Sequence, residues 1–368
     1  MKSIQQLYSN ATYLIEGAKK HATSTLAFIL LFVVLPLGAW AQDLTISSTG
    51  ETGTSGINWS ITGTTLTVSG GDANIQASVI ENALASGNLT VITDTGGEYV
   101  IQVNDAIEYT GGTERTLTLG ATNRVLVYED ITSTTSPLNI ILASELDRTT
   151  GFTGGGFGVG VFSTITTNGG DFWIGGGELT GTWNGHSVGV GSAMGGGGAN
   201  GVGVEISGAT ISSSGGDIRI LGTSNGAPGI NAYQSNSTIN VGAGDIELFS
   251  DRVGFDFVGS SGDIQIDGSG ILTIAPLEDS FASAVTWDGT ETGGYYTSAG
   301  GANTFDGLRI QNTLGLTIGK STNTADVTIS SDIIIAGPIS VYGNTLVIDS
   351  DVQATALNEG VRLVATGL

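Results

Sequence analysis

Apolar residues fall at every second position in short runs along much of the chain. Between 43 and 70 they are Leu44 and Ile46, then Trp59 and Ile61, then Leu66 and Val68, with glycine-containing turns between. Period two bounded by turn residues predicts strands with one face buried. The pattern returns at 88–93 (NLTVIT), 99–103, 116–121 (TLTLGA), 124–128 and 138–143 (LNIILA). Inward candidates there are Leu117 and Leu119, Val125 and Val127, and Leu138, Ile140 and Leu142. One stretch breaks the period. In 74–88 (NIQASVIENALASGN), Ile75, Val79 and Ala83, and likewise Ile80 and Leu84, recur every four residues, and Gly87 supplies a stop. That spacing predicts a helix of about three turns.

The first residues of TLTLGA and LNIILA lie 22 positions apart, and no helical pattern separates them. Parallel strands need a crossover, usually a helix. Two solutions remain without one: antiparallel hairpins, or a solenoid that lays each strand on its predecessor. A repeated device favours the solenoid. Gly170-Asp171-Phe172, Gly216-Asp217-Ile218, Gly244-Asp245-Ile246 and Gly262-Asp263-Ile264 each join a small-residue turn to a short alternating strand, with starts 46, 28 and 18 residues apart. Such spacings suit one or two coils of a parallel β-helix with loops of variable length. Glycine permits a left-handed corner, and aspartate can accept backbone N–H groups there. Asp171, Asp217, Asp245 and Asp263 are therefore expected to be structural turn residues rather than catalysts. The 151–203 region, with 21 glycines, is expected to be an irregular excursion, either a loop or strands with bare backbones.

Composition sharpens the class. Glycine numbers 60 of 368 and proline only 5, while charged residues are 12%. The high apolar fraction excludes a disordered chain. The first 41 residues read as a secretion leader: a basic edge at Lys19 and Lys20, an apolar run at 26–38, and Ala39-Trp40-Ala41 as a small-x-small cleavage pattern. The alternative is an uncleaved anchor, but the run contains Pro36 and is shorter than the ~20 residues a spanning helix needs. Cleavage removes three of 11 Lys+Arg and one of 34 Asp+Glu, leaving 8 against 33, or −25. A surface so acidic makes nucleic acid a poor partner. There is no cysteine, so an exported domain must rely on a large core or a long backbone ladder.

Candidate chemistry thins out on inspection. The 315–322 stretch GLTIGKST has the letters of a phosphate loop, but Leu314 stands where the first glycine belongs and strand pattern follows instead of a helix. No nucleotide is expected. Lys320, the sole lysine after cleavage, is expected to pair with Asp326 or Asp332 or to meet a carbonyl at the turn. The 195–203 stretch GGGGANGVG matches a calcium-binding roll repeat except for Asn200, and one copy does not make an array. No cofactor is expected; loop aspartates leave calcium as the one candidate. His186 is the only histidine after cleavage and is expected on an exposed loop. Paired carboxylates for glycoside hydrolysis are not evident: Gly185-His186-Ser187 and Arg309-Ile310-Gln311 echo fragments of β-helix pectin hydrolases, without their upstream Asp-Asp. Trp183, Tyr295 and Tyr296 are the candidates for stacking on a ligand.

Two segments carry a resemblance. SVIENALASGNLTVITDTGG, then TLTLGATNRVLVYEDI and LNIILA, resemble the early coils of filamentous-haemagglutinin-like secreted proteins. GLTIGKSTNTADVTISSDIIIAGPISVYGNTLVIDSDVQA is similar to a segment that recurs in large surface proteins of Bacteroidetes-type bacteria. Together they cover about residues 75–145 and 305–355. The resemblance implies a right-handed parallel β-helix preceded by a short helix, an adhesin-like role and no established catalytic residues. Such proteins are usually longer, so an N-terminal portion of one is expected. The expectation is thus an all-β chain: a leader at 1–41, capping strands and a short helix at 42–87, and parallel β-helix repeats at 88–368. It is secreted or held at the cell surface, with glycans or extracellular proteins as partners and no membrane span after cleavage. The runner-up is a polysaccharide-acting β-helix enzyme.

Overall fold

A computed structural model describes residues 43–94, 97–147, 156–196, 201–224, 227–231, 236–254, 264–287, 303–304 and 308–367. The chain divides into two units, Met1–Trp40 and Ala41–Leu368, and the described residues all belong to the second. The stretch expected to be a leader, 1–41, therefore lies outside them.

The second unit is all-β, with one helix among the described residues, α1 (Ala77–Ser86). Ala77, Val79, Ile80 and Leu84 of α1 are buried, and Gly87 ends it by donating to Ala83 O. Ile75, expected in the helical stripe, instead closes the preceding strand Ala73–Ile75. Three large sheets follow. The first runs from Leu44–Glu51 through Val100–Val103, Arg124–Val127, Val159–Val161, Val204–Ile206 and Ile230–Asn231 to Val253–Gly254, every pair parallel. The second runs in parallel from Ile107–Tyr109 to Leu308–Gln311. The third opens with an antiparallel hairpin, Trp59–Thr62 on Thr65–Val68, and then continues in parallel to Val361–Ala365.

Chain order explains how parallel strands form without helices. The chain visits the first, second and third sheets in turn: Val100–Val103, Ile107–Tyr109, Arg115–Gly120, then Arg124–Val127, Ile131–Ser133, Leu138–Ser144. Up to Val253–Gly254 each circuit returns to the first sheet one strand further along; beyond it Val285–Trp287, Val327–Ile329 and Leu346–Ile348 pair in a separate parallel sheet. The two strands in between serve as the crossover.

Register keeps like residues on top of one another. In the second sheet Ile107, Ile131, Ile165, Ile211, Ile239, Ile266 and Ile310 stand in one file. In the third, Leu66, Val91, Leu119, Leu142, Ile174, Ile220, Leu248, Ile274, Ile318 and Val341 do the same. Those ten are buried and belong to one continuous core. A one-residue slip would turn each file to the outside, so the apolar alternation sets the register. TLTLGA and LNIILA pair in parallel, with Leu138 opposite Arg115 and Asn139 opposite Thr116.

Candidate functional site

The Gly-Asp devices meet at one corner. Phe172, Ile218 and Ile246 stand in file in the third sheet, so Asp171, Asp217 and Asp245 stand in file just ahead of them. Each carboxylate accepts a backbone N–H from the next circuit: Asp217 N donates to Asp171 Oδ1 at 2.8 Å, Asp245 N to Asp217 Oδ1 at 2.9 Å, and Ile271 N to Asp245 Oδ1 at 2.8 Å. The glycine before each aspartate has a distinct reason. A Cβ on Gly216 would collide with Gly170 O, and one on Gly244 with Gly216 O, so the corners stack backbone on backbone. The file also extends backward. Asn139 Oδ1 accepts from Asp171 N at 2.8 Å, and Asn88 Oδ1 from Thr116 N at 3.0 Å. These asparagines escaped the sequence pattern because it was defined by Gly-Asp: Gly87 precedes Asn88, but Leu138 precedes Asn139, and neither position holds an aspartate. Asn88 stands just before the strand Leu89–Thr93, whereas Asn139 is the second residue of Leu138–Ser144.

The fourth copy differs. Asp263 lies outside the described residues, and Ile264 begins a strand of the second sheet, opposite Ser237. The 18-residue gap is less than one circuit. Gly270, beside Gly244 O, holds the equivalent corner in the third sheet.

A small hairpin sits over this corner. Gly181–Trp183 pairs antiparallel with His186–Val188 through Asn184 and Gly185, both at positive φ. That is the backbone an Asn-Gly hairpin turn requires. Asn184 Nδ2 lies 2.9 Å from Asp171 Oδ2 and 2.9 Å from Asp217 Oδ2, and His186 Nε2 lies 3.6 Å from Asp171 Oδ2. His186, expected on an exposed loop, is thus a half-buried strand residue facing a carboxylate. The hairpin also covers apolar residues on the outward face of the third sheet. Ile141, Ala143 and Trp173 pack there with Trp183 and Val188 as a second cluster, apart from the main core.

Trp183 therefore does not offer an open ligand-stacking face: it is 8% exposed. The Arg219 guanidinium lies 5.2 Å from its ring centroid and 5.6 Å from that of Phe249, and Arg219 also pairs with Glu247. Two-sided burial was legible at 138–144, where Ile141 and Ala143 add apolar residues at the outward parity. Glycine lets the covering segment approach. A Cβ at Gly176 would stand 2.5 Å from Ser192 O and 2.8 Å from Ser144 O. So the described part of the glycine-rich region contains bare-backbone strands. Residues 148–155 and 197–200, the latter inside the roll-like stretch, lie outside the described residues, as do Tyr295 and Tyr296.

Lys320 sits past the strand Gly315–Ile318, after Gly319 at φ 76°. Its Nζ donates to Leu277 O at 3.2 Å, the carbonyl contact among the expected options. Asp326 and Asp332 serve elsewhere as caps. Asp326 Oδ1 accepts from Asn344 Nδ2 and Thr345 N, and Asp332 Oδ1 from Asp351 N. Those bonds from Asn344 and Thr345 hold the Asp326 carboxyl below the usual range. Asp43 moves the other way. Burial pushes it up, opposed by the hydrogen bond from Val100 N, and Asp72 adds to the rise.

Among the described residues no three or more His, Asp or Glu converge to hold a metal ion, and no helix is long and apolar enough to cross a membrane. No protein-family model, no curated protein and no solved structure matches the chain.

Proposed function

We propose that this chain is an exported, adhesin-like structural and binding protein, built as a right-handed parallel β-helix. One observation carries the reading. The chain cycles through three parallel sheets, and its corner aspartates are spent on backbone N–H groups of the neighbouring circuit. Right-handedness follows from the strong preference of parallel crossovers for that hand. A long ladder stabilises itself without cysteine and displays loops along its length, which suits a surface binder of glycans or extracellular proteins. The leader-like first 41 residues support export by the general secretory route, and the likeness to haemagglutinin-like proteins at 75–145 and 305–355 supports the same role.

The test is a glycan and matrix-protein binding screen of purified 42–368, with and without calcium. Saturable binding to at least one probe is expected, unchanged by chelation. No binding under either condition overturns the reading. A polysaccharide-acting enzyme is the second reading, favoured by the Asp171–His186 contact. It predicts that Asp171→Asn abolishes release of reducing ends from a polysaccharide panel. The binding reading predicts no release by either form.

A further inference from the structure

The aromatic residues singled out by sequence leave the ligand face unassigned, since Trp183 is covered. A different ring is uncovered. Val103, Val127, Val161 and Ile206 stand in file in the first sheet, so the residues after them, Asn104, Tyr128, Phe162 and Ser207, occupy successive rungs of one corner. Backbone bonds hold that corner in step: Tyr128 N donates to Val103 O, Phe162 N to Val127 O and Ser207 N to Val161 O. Tyr128 and Phe162 stack with centroids 5.2 Å apart and planes 13° from parallel. Phe157 braces Phe162 from 5.8 Å at 56°. Phe162 also lies across the bare backbone of Gly160, where a Cβ would stand 2.6 Å from its Cε2. The stack is therefore held in place from three sides.

It ends at Tyr128. The rung before it carries Asn104, an exposed amide, so among the described residues one face of the tyrosine ring has no aromatic neighbour. Tyr128 is 45% exposed, and its hydroxyl makes no hydrogen bond among the described residues. Asn104 on the adjoining rung donates to Gln102 Oε1 at 3.4 Å, and Glu129 follows Tyr128 in the chain; amides and carboxylates can donate to or accept from hydroxyls. A rigid, half-open aromatic face rimmed by amides and carboxylates matches a pyranose, whose C–H face is apolar and whose edge is a ring of hydroxyls. Charge narrows the class. Asp105, Glu129 and Asp130 share this corner, and the cleaved chain carries 8 basic against 33 acidic residues. Uronates and sulfated glycans would meet like charge there.

We infer that Tyr128 is the stacking platform of a subsite for neutral pyranosyl sugars. The inference rests on the binding reading above and names its ligand class.

The test titrates 42–368 and its Tyr128→Ala and Tyr128→Phe variants with neutral gluco-, manno- and galacto-oligosaccharides. Heparin and polygalacturonate form the anionic arm, and fibronectin is a protein probe. Thermal melts check that the variants are folded. Binding of a neutral sugar that weakens about tenfold in Tyr128→Ala and stays within about threefold in Tyr128→Phe is expected. Equal sugar affinity in wild type and Tyr128→Ala overturns the subsite and leaves the binding reading standing. So does binding to fibronectin or to polyanions alone. No binding to any probe overturns both. Should Tyr128→Ala fail to fold, Asn104→Ala, at an exposed position on the rim, provides the same comparison: a loss of neutral-sugar affinity is expected, and unchanged affinity overturns the subsite.

Discussion

Trp173 and Ile174 are neighbours in the third sheet and point to opposite faces. Ile174 enters the file of Leu142, Ile220 and Leu248 in the main core. Trp173 faces outward and is buried all the same, under the hairpin that carries Trp183 and Val188. The inner region is built by repetition. Each circuit adds one residue to each file, and every member is held by the strand before and the strand after it. The outer region is built once. It needs a hairpin, bare glycine backbone to let it approach, and the Asn184 and His186 contacts at its tip. A cavity in the repeated core is felt by the circuits stacked on either side of it, whereas a single hairpin can lift while the ladder beneath it stays closed.

Ile174→Ala should have the largest effect. A cavity in the file is expected to cost about 3 kcal/mol and to lower the midpoint of the whole denaturation curve, measured by far-UV circular dichroism in urea. A loss confined to the hairpin would break the comparison. Gly176→Ala comes next, at about 1–3 kcal/mol, because its Cβ would drive Ser192 and Ser144 apart. Its signature should be local. Tryptophan emission should shift to the red and cleavage should appear near 181–190 under limited proteolysis, at nearly unchanged β content.

Asp217→Ala should cost about 1 kcal/mol, the usual worth of a side-chain cap on a backbone N–H. It also removes one of the two carboxylates that hold Asn184. Asp217→Asn keeps an oxygen for Asp245 N and should restore most of the loss in the ladder. The smallest expected effect is at Asp326, an exposed cap in a later circuit. Its folded pKa lies below the unfolded value, so its contribution is whole above the unfolded pKa of about 3.9 and is lost as pH falls through the folded one. Asp326→Asn should flatten that part of the acid limb in a pH series of thermal melts. An identical acid limb in both forms would remove the cap from the account.

Much of this was open to a reader of the sequence. Alternation at 43–70 and 88–143 marks the strands, and the four-residue spacing at 74–88 marks α1, displaced by one turn at its start because Ile75 belongs to a strand. Gly-Asp before a strand marks three rungs of one corner. The fourth copy misleads, since Gly-Asp is a local device that serves any corner and does not say which sheet follows. The surface was harder to read. Trp183 has the composition of a binding residue and the environment of a core residue, while Tyr128 sits in an ordinary strand ending and gains its place only from the rungs on either side.

The division has a physical cause. Period two, glycine at corners and aspartate before strands are interactions within a few residues, so the amino-acid order alone determined that this chain forms short strands with apolar inner files. Which residues lie on one rung depends on how many residues each loop inserts between circuits. Those insertions vary, and only the closed backbone ladder settles them. Tertiary structure therefore decided that Asn139, Asp171, Asp217 and Asp245 form one file, that Trp183 is covered, and that Tyr128 ends a stack with one face left open.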